Sequence, residues 1–119
     1  MKNTLIVLLC FALFSCSVAL ASEIETLLAA GTHGQGNLQA SAAWKRLVES
    51  DPAELPKLFE AFDRSTPLSA NWIRTAAEVM IQKIMQGKTG KAELQDFLIQ
   101  FAINRDNTAV GRLFALEMG

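Results

Sequence analysis

His33 is the only histidine in this 119-residue chain, and it is the side chain whose ordinary pKa suits proton transfer near neutrality. A zinc site needs about four ligands from Cys, His, Asp or Glu. With one histidine, and with Cys10 and Cys16 both inside the first 21 residues, which read as a removable export segment, none of the usual ligand spacings exists, so no metal is expected. A Ser-His-Asp arrangement has its residue types, but no serine stands in a nucleophile-elbow context and glycines surround His33. His33 therefore reads as a loop side chain, with contact to a partner as its functional alternative.

Gly31-Thr32-His33-Gly34-Gln35-Gly36-Asn37 is the one glycine-rich segment, and it precedes a helical pattern. Helix-start amides attract anions. A phosphate loop would also need a preceding strand, a lysine-serine pair or a full G-x-G-x-x-G, and these are lacking. The segment reads as a connector or a partner-contact loop. Glu60 and Asp63, three apart on an amphipathic stretch, mark a solvated face, because two carboxylates without a pocket are not an active site. Neither a catalytic residue nor a cofactor is expected.

Four residues remain for recognition. Trp44 and Trp72 occupy helical apolar positions and read as packing anchors whose indole N–H is satisfied at the edge of the core. Their functional alternative is an exposed aromatic at an interface. For a buried Trp72, substitution by Ala is expected to cost about 3–5 kcal/mol. Asn71 and Arg74 flank Trp72 on the more polar side of its helix, which suits hydrogen bonds between helices or repeats, with ligand contact as the second reading.

These residues have to be placed by the rest of the chain. Residues 1–21 have the three parts of a signal peptide: Lys2, an apolar run from Leu5 to Phe14, and a small-residue end at Ala19-Leu20-Ala21. The run is too short to span a bilayer. Cleavage is expected after Ala21, with lipid attachment at Cys16 as the alternative through Leu13-Phe14-Ser15-Cys16. The composition then changes meaning. The chain is 50% hydrophobic as a whole, but 44 of the remaining 98 residues are apolar, which is ordinary for a globular domain, and both thiols are gone. Ten basic residues then face twelve acidic ones, so there is no electrostatic basis for binding nucleic acid.

Residues 22–119 read as a single all-α domain of about five or six helices. Glu23 to Ala30 forms a short helix. Asn37 caps a second with Ala40, Ala43, Trp44, Leu47 and Val48 on its apolar side. Asp51-Pro52-Ala53-Glu54 opens a third, with Leu55, Leu58, Phe59 and Phe62 on one face. Ser65-Thr66-Pro67 opens the longest, to about Gln86, and its apolar residues from Trp72 to Met85 occupy so much of the circumference that it should be central. Lys91 to about Ile103 carries Leu94, Phe97, Leu98 and Phe101. Asp106 or Asn107 caps a last helix whose apolar face is Val110, Leu113, Phe114 and Leu116. The spacing suggests antiparallel pairs over about 37–63 and 67–103, in the range of helical-repeat units.

Two stretches carry a resemblance. Gly34-Gln35-Gly36-Asn37 with Ala42-Ala43-Trp44-Lys45-Arg46-Leu47, and Pro67-Leu68-Ser69-Ala70-Asn71-Trp72-Ile73-Arg74, resemble the N-terminal region of large secreted bacterial proteins with HEAT-like helical repeats. The likeness spans about Ile24 to Met118 and implies a HEAT-like α-solenoid fragment; the residues themselves equally allow a small helical bundle. It also implies an interaction or scaffold role without assigned catalytic residues. Proteins of that family continue into further repeats, whereas this sequence ends at Gly119. The expected function is a non-enzymatic module, secreted or periplasmic and without a membrane span after cleavage. It would bind protein or pack on further repeats, as in the N-terminal cap of a longer array. The alternative is a helical bundle binding a small ligand near its long central helix.

Overall fold

The computed structural model describes residues 22–119 apart from 32, 33 and 35. The signal segment with its cleavage and lipidation alternatives, and the candidate contact residue His33, lie outside the described residues. Every regular element among those described is helical. We label residues 22–28 α1, Asn37–Val48 α2, Leu55–Glu60 α3, Pro67–Gln86 α4, Lys91–Ile103 α5 and Ala109–Met118 α6. The chain is an all-α helical bundle, and none of these helices is long and apolar enough to cross a membrane.

The helix starts follow local chemistry, with two corrections. Gly36, at φ 76°, stands at the cap of α2, and Asn37 is the first helical residue rather than the cap. The chain enters α2 through left-handed backbone, which glycine adopts without the steric cost of a Cβ. Asp51 does cap the next segment, accepting from the Ala53 N–H at 2.9 Å. That segment is broken, however, into a 3-10 turn over Pro52–Glu54, α3, and a second 3-10 turn over Ala61–Arg64. Pro56 has no N–H to give the Pro52 carbonyl, which instead accepts from Leu55 three residues on, and the turn tightens.

Thr66 and Ser69 form a reciprocal capping box at the start of α4: the Ser69 N–H donates to Thr66 Oγ1 at 3.2 Å, and the Thr66 N–H donates to Ser69 Oγ at 2.8 Å. At α6 the cap is Thr108, not Asp106 or Asn107. Asn107 is occupied elsewhere, its Nδ2 donating to the Phe101 carbonyl at 3.0 Å. The Thr108 N–H is meanwhile held by Asp63 Oδ1 at 3.1 Å, which orients its extended backbone for capping.

α4 is central, as its broad apolar surface requires. It packs against α2, α3 and α5 and buries Ile73, Ala76, Ala77, Met80 and Ile81, while Met85 near its end is exposed. α2 packs chiefly on α4, so the expected pairing over 37–63 gives way to α2 on α4, because Leu47 and Val48 of α2 and the Leu55–Phe62 stripe both turn towards the same core.

The centre of the core is Phe59, fully buried. Its ring lies edge-on to Phe62, Phe97 and Phe101 at centroid distances of 5.8, 5.2 and 5.0 Å, and stacks on Phe114 at 5.4 Å. This cluster fastens the 3-10 turn after α3, α5 and α6 to one another. Such pairs add roughly 0.5–1.5 kcal/mol each beyond the burial of their area.

α5 and α6 form an antiparallel hairpin. Arg112 Nε donates to the Ala102 carbonyl at 2.8 Å, and Gly119, seven residues later, lies beside Leu98, four residues earlier. A Cβ at Gly111 would fall 3.0 Å from Phe101 Cε1, so the hairpin closes on a position without a side chain. The expected apolar face of α6 is corrected here. Gly111, Phe114 and Ala115 are buried at three-four spacing, Leu113 and Leu116 lie across the helix in solvent, and Val110, one turn before Phe114, is exposed at the edge of the cleft that Phe114 lines.

Candidate functional site

Four of the five residues proposed for contact are described, and three of them sit on α4. Trp44 and Trp72 are half-buried against the core and are linked through Thr75. The Trp44 indole N–H donates to Thr75 Oγ1 at 3.0 Å, and the Thr75 hydroxyl donates to the Trp72 carbonyl at 3.1 Å. This relay joins α2 to α4 and satisfies the one polar atom of Trp44, as an anchor at the edge of a core requires. Trp72 is partly exposed rather than enclosed.

Asn71 and Arg74 are exposed on the first turns of α4 and line one cleft of about 400 Å³ between α4 and the start of α6. Arg74 bonds between helices, as its position suggested. Its guanidinium pairs with Glu117 of α6, reaches Glu78 one turn along α4 at 3.5 Å, and lies over the Phe114 ring. Across the cleft, Asp63 holds the Thr108 N–H. Arg74 is thus committed to closing α6 onto α4, and Asp63 to holding the start of α6 against the 61–64 turn, which makes the cleft a clamp. Asn71 also borders a shallow depression of about 450 Å³ beside Ala30, Gly31 and Leu68.

Ion pairs tie the N-terminal helix down in the same way. Arg46 bonds Glu23 at 2.6 Å, and Arg64 bonds Glu25. The hydrogen bond that Arg46 Nε donates to the Glu23 carboxylate, with that carboxylate's charge, raises the Arg46 pKa above its ordinary value. Exposed pairs of this kind contribute roughly 0–1 kcal/mol each.

A second groove, of about 450 Å³, runs between Asp51–Pro56 and the turn from α4 to α5. Leu55, Ile84, Leu94 and Phe97 give it apolar walls. Lys83, whose ammonium donates to the Val48 carbonyl, stands at its side. Among the described residues no group of three or more His, Cys, Asp or Glu side chains is arranged to hold a metal ion.

The feature that residue-by-residue reasoning missed is on the hairpin. Ile99 and Ile103 on α5 and Val110, Leu113 and Leu116 on α6 are all more than half exposed, from 55% at Ile99 to 64% at Leu116. The signal was present at α5, where Ile99 and Ile103 stand off the Leu94–Leu98–Phe101 stripe. At α6 it was masked by assigning every large apolar residue to one face. Comparison of the chain with known protein families, curated proteins and solved structures finds no significant match, so what this bundle does has to be argued from these surfaces.

Proposed function

We propose that this chain is an exported, non-enzymatic helical module that acts by binding protein. Export is supported by the three-part N-terminal segment, and the interaction role by the resemblance of the Trp44 and Trp72 segments to secreted HEAT-like repeat proteins. The observation that carries the reading is the row of large apolar side chains facing solvent on α5 and α6. Isolated apolar residues on a surface are ordinary, but a contiguous patch of several is a mark of contact with another macromolecule.

The test is to express the full chain in a bacterial host with a photo-reactive phenylalanine analogue at Leu116 or, as a control, at Leu38 of α2. The reading expects an exported product shortened to begin at Ser22, or lipidated at Cys16, and protein adducts from position 116 that are lacking from position 38. A product retained in the cytoplasm at full mass, or no adduct from either position, would count against it.

A second reading rests on the apolar groove at Leu55, Ile84, Leu94 and Phe97, whose size lies in the range of small-ligand sites. A small apolar molecule carried through purification and seen by native mass spectrometry, lost in Phe97→Ala, would favour it.

A further inference from the structure

Four of the five exposed side chains are not scattered. α5 buries Leu94, Leu98, Phe101 and Ala102, and α6 buries Gly111, Phe114 and Ala115. The two helices run antiparallel, and both send a phenylalanine, Phe101 and Phe114, into the cluster around Phe59. At about 100° per residue, right-handed rotation on α5 carries Ile99 and Ile103 to the side of the hairpin opposite that cluster. The same rotation on α6, running the other way, carries Leu113 and Leu116 to that same side, whereas Val110 stands over the cleft beside Phe114. Exposed Ala92 and Ala109 extend the face, which carries two charged side chains: Asp96, exposed one turn from both Ala92 and Ile99, and Arg112, half-buried with Nε already bonded to the Ala102 carbonyl.

The face is therefore broad, mostly apolar and without net charge. At their exposures the four large side chains Ile99, Ile103, Leu113 and Leu116 present on the order of 450 Å² of accessible surface, within the roughly 300–600 Å² that the largest patch of a monomer usually shows. With the two alanines and the Arg112 stem it approaches the ~800 Å² that each partner contributes to a standard interface. With one carboxylate and one guanidinium the face has no net charge to repel a second copy, and a two-fold axis sets the same apolar patch against itself.

We propose that the outer face of the α5–α6 hairpin pairs two copies of this chain in an isologous dimer, with Ile99, Ile103, Leu113 and Leu116 at its centre. This rests on the interaction reading above and names the partner for that face.

The experiment uses the full chain expressed for export, and compares the purified wild type with Ile99→Glu/Leu116→Glu and with Leu38→Glu on α2. By sedimentation at about 100 µM, a concentration that populates even a weak interface, wild type and Leu38→Glu are expected at twice the monomer mass. The paired glutamates are expected to weaken association about 100-fold or more, with unchanged circular dichroism, since each would be buried unpaired against an apolar surface. Cysteines introduced singly at 99, 103, 113 and 116 provide a second readout, with at least one expected to give a disulfide-linked dimer under mild oxidation and Leu38→Cys none. A wild type monomeric at that concentration, or a dimer indifferent to the paired glutamates, overturns the proposal. Adducts to a different protein from position 116, with a monomeric wild type, would remove the second copy and leave the interaction reading standing. The lack of both would remove both.

Discussion

Arg74 of α4 lies over the ring of Phe114 on α6, with its guanidinium carbon 5.3 Å from the ring centroid, while its fork pairs with Glu117 three residues further on. One side chain thus reads two positions of α6 one turn apart and sets how far that helix rotates about its own axis. Because Phe114 also stacks on Phe59, the clamp at the surface and the core beneath it specify the same rotation. That rotation leaves Leu113 and Leu116 outward.

Arg74→Ala is expected to destabilise the domain by about 1 kcal/mol. Both charges are nearly half exposed, at 45% and 43%, so solvent screening keeps the ion pair to a fraction of that and the cation–ring contact supplies a similar amount. The loss should appear as a lower urea midpoint at unchanged slope, and should shrink in Glu117→Gln and again in Phe114→Leu. Strict additivity in both double variants would show that Arg74 reads neither residue.

Phe59→Ala should cost about 3–5 kcal/mol, more than any tryptophan substitution, because it removes the ring that four other phenylalanines touch. Trp72→Ala is expected at about 2 kcal/mol, since a half-buried indole gives up less contact than the 3–5 kcal/mol appropriate to full enclosure. Trp44→Phe, which keeps most of the apolar body and drops only the N–H to Thr75, should cost about 1 kcal/mol. Chemical denaturation of the three variants checks the order, and a Trp72→Ala loss as large as that of Phe59→Ala would contradict the position of the indole at the edge.

How much of this was legible in the chain depends on whether neighbours or distant residues decide. The bounds of α4 could be read because Thr66, Pro67 and Ser69 encode its start within four residues. The start of α6 could not, since Asp106, Asn107 and Thr108 can all cap and the choice is made by Phe101 and Asp63, from outside the turn. The same holds for recognition. Arg74 could be assigned to bonding between helices, but Glu117, forty-three residues on, could not be named. The outer face is not legible from residue size, because α6 buries Gly111 and Ala115 beside Phe114 and leaves Leu113 and Leu116 outside. Small residues let the helices approach, and the large ones were left outside.

The capping box at α4 offers a test of local chemistry. Thr66→Ala is expected to lower stability by about 1 kcal/mol through the Ser69 N–H it leaves unpaired. Ser69→Ala should cost at least as much, because the site is fully buried and the Thr66 N–H loses its only side-chain acceptor in the box. Ser69→Thr tests the space around it, and a loss larger than that of Ser69→Ala would show that the added methyl is not accommodated.

Gly111 gives the sharpest prediction, because two effects of similar size oppose each other there. Replacing glycine by alanine within a helix favours the helix by about 1 kcal/mol. The new Cβ, however, would stand 3.0 Å from Phe101 Cε1 and 3.3 Å from Phe62 Cβ. The first of these contacts is a ring held between Phe59 and Phe97, and the second is the root of a side chain fixed to the backbone, so neither can swing aside. Overpacking of this kind costs roughly 1–3 kcal/mol, which outweighs the propensity gain. Gly111→Ala is therefore expected to destabilise by about 1 kcal/mol net, seen as a lower urea midpoint, and to cost less in a Phe101→Leu background, where the methyl has space. If the single substitution stabilises instead, the hairpin closes less tightly than Gly111 requires, and α6 has freedom to turn Leu113 and Leu116 inward.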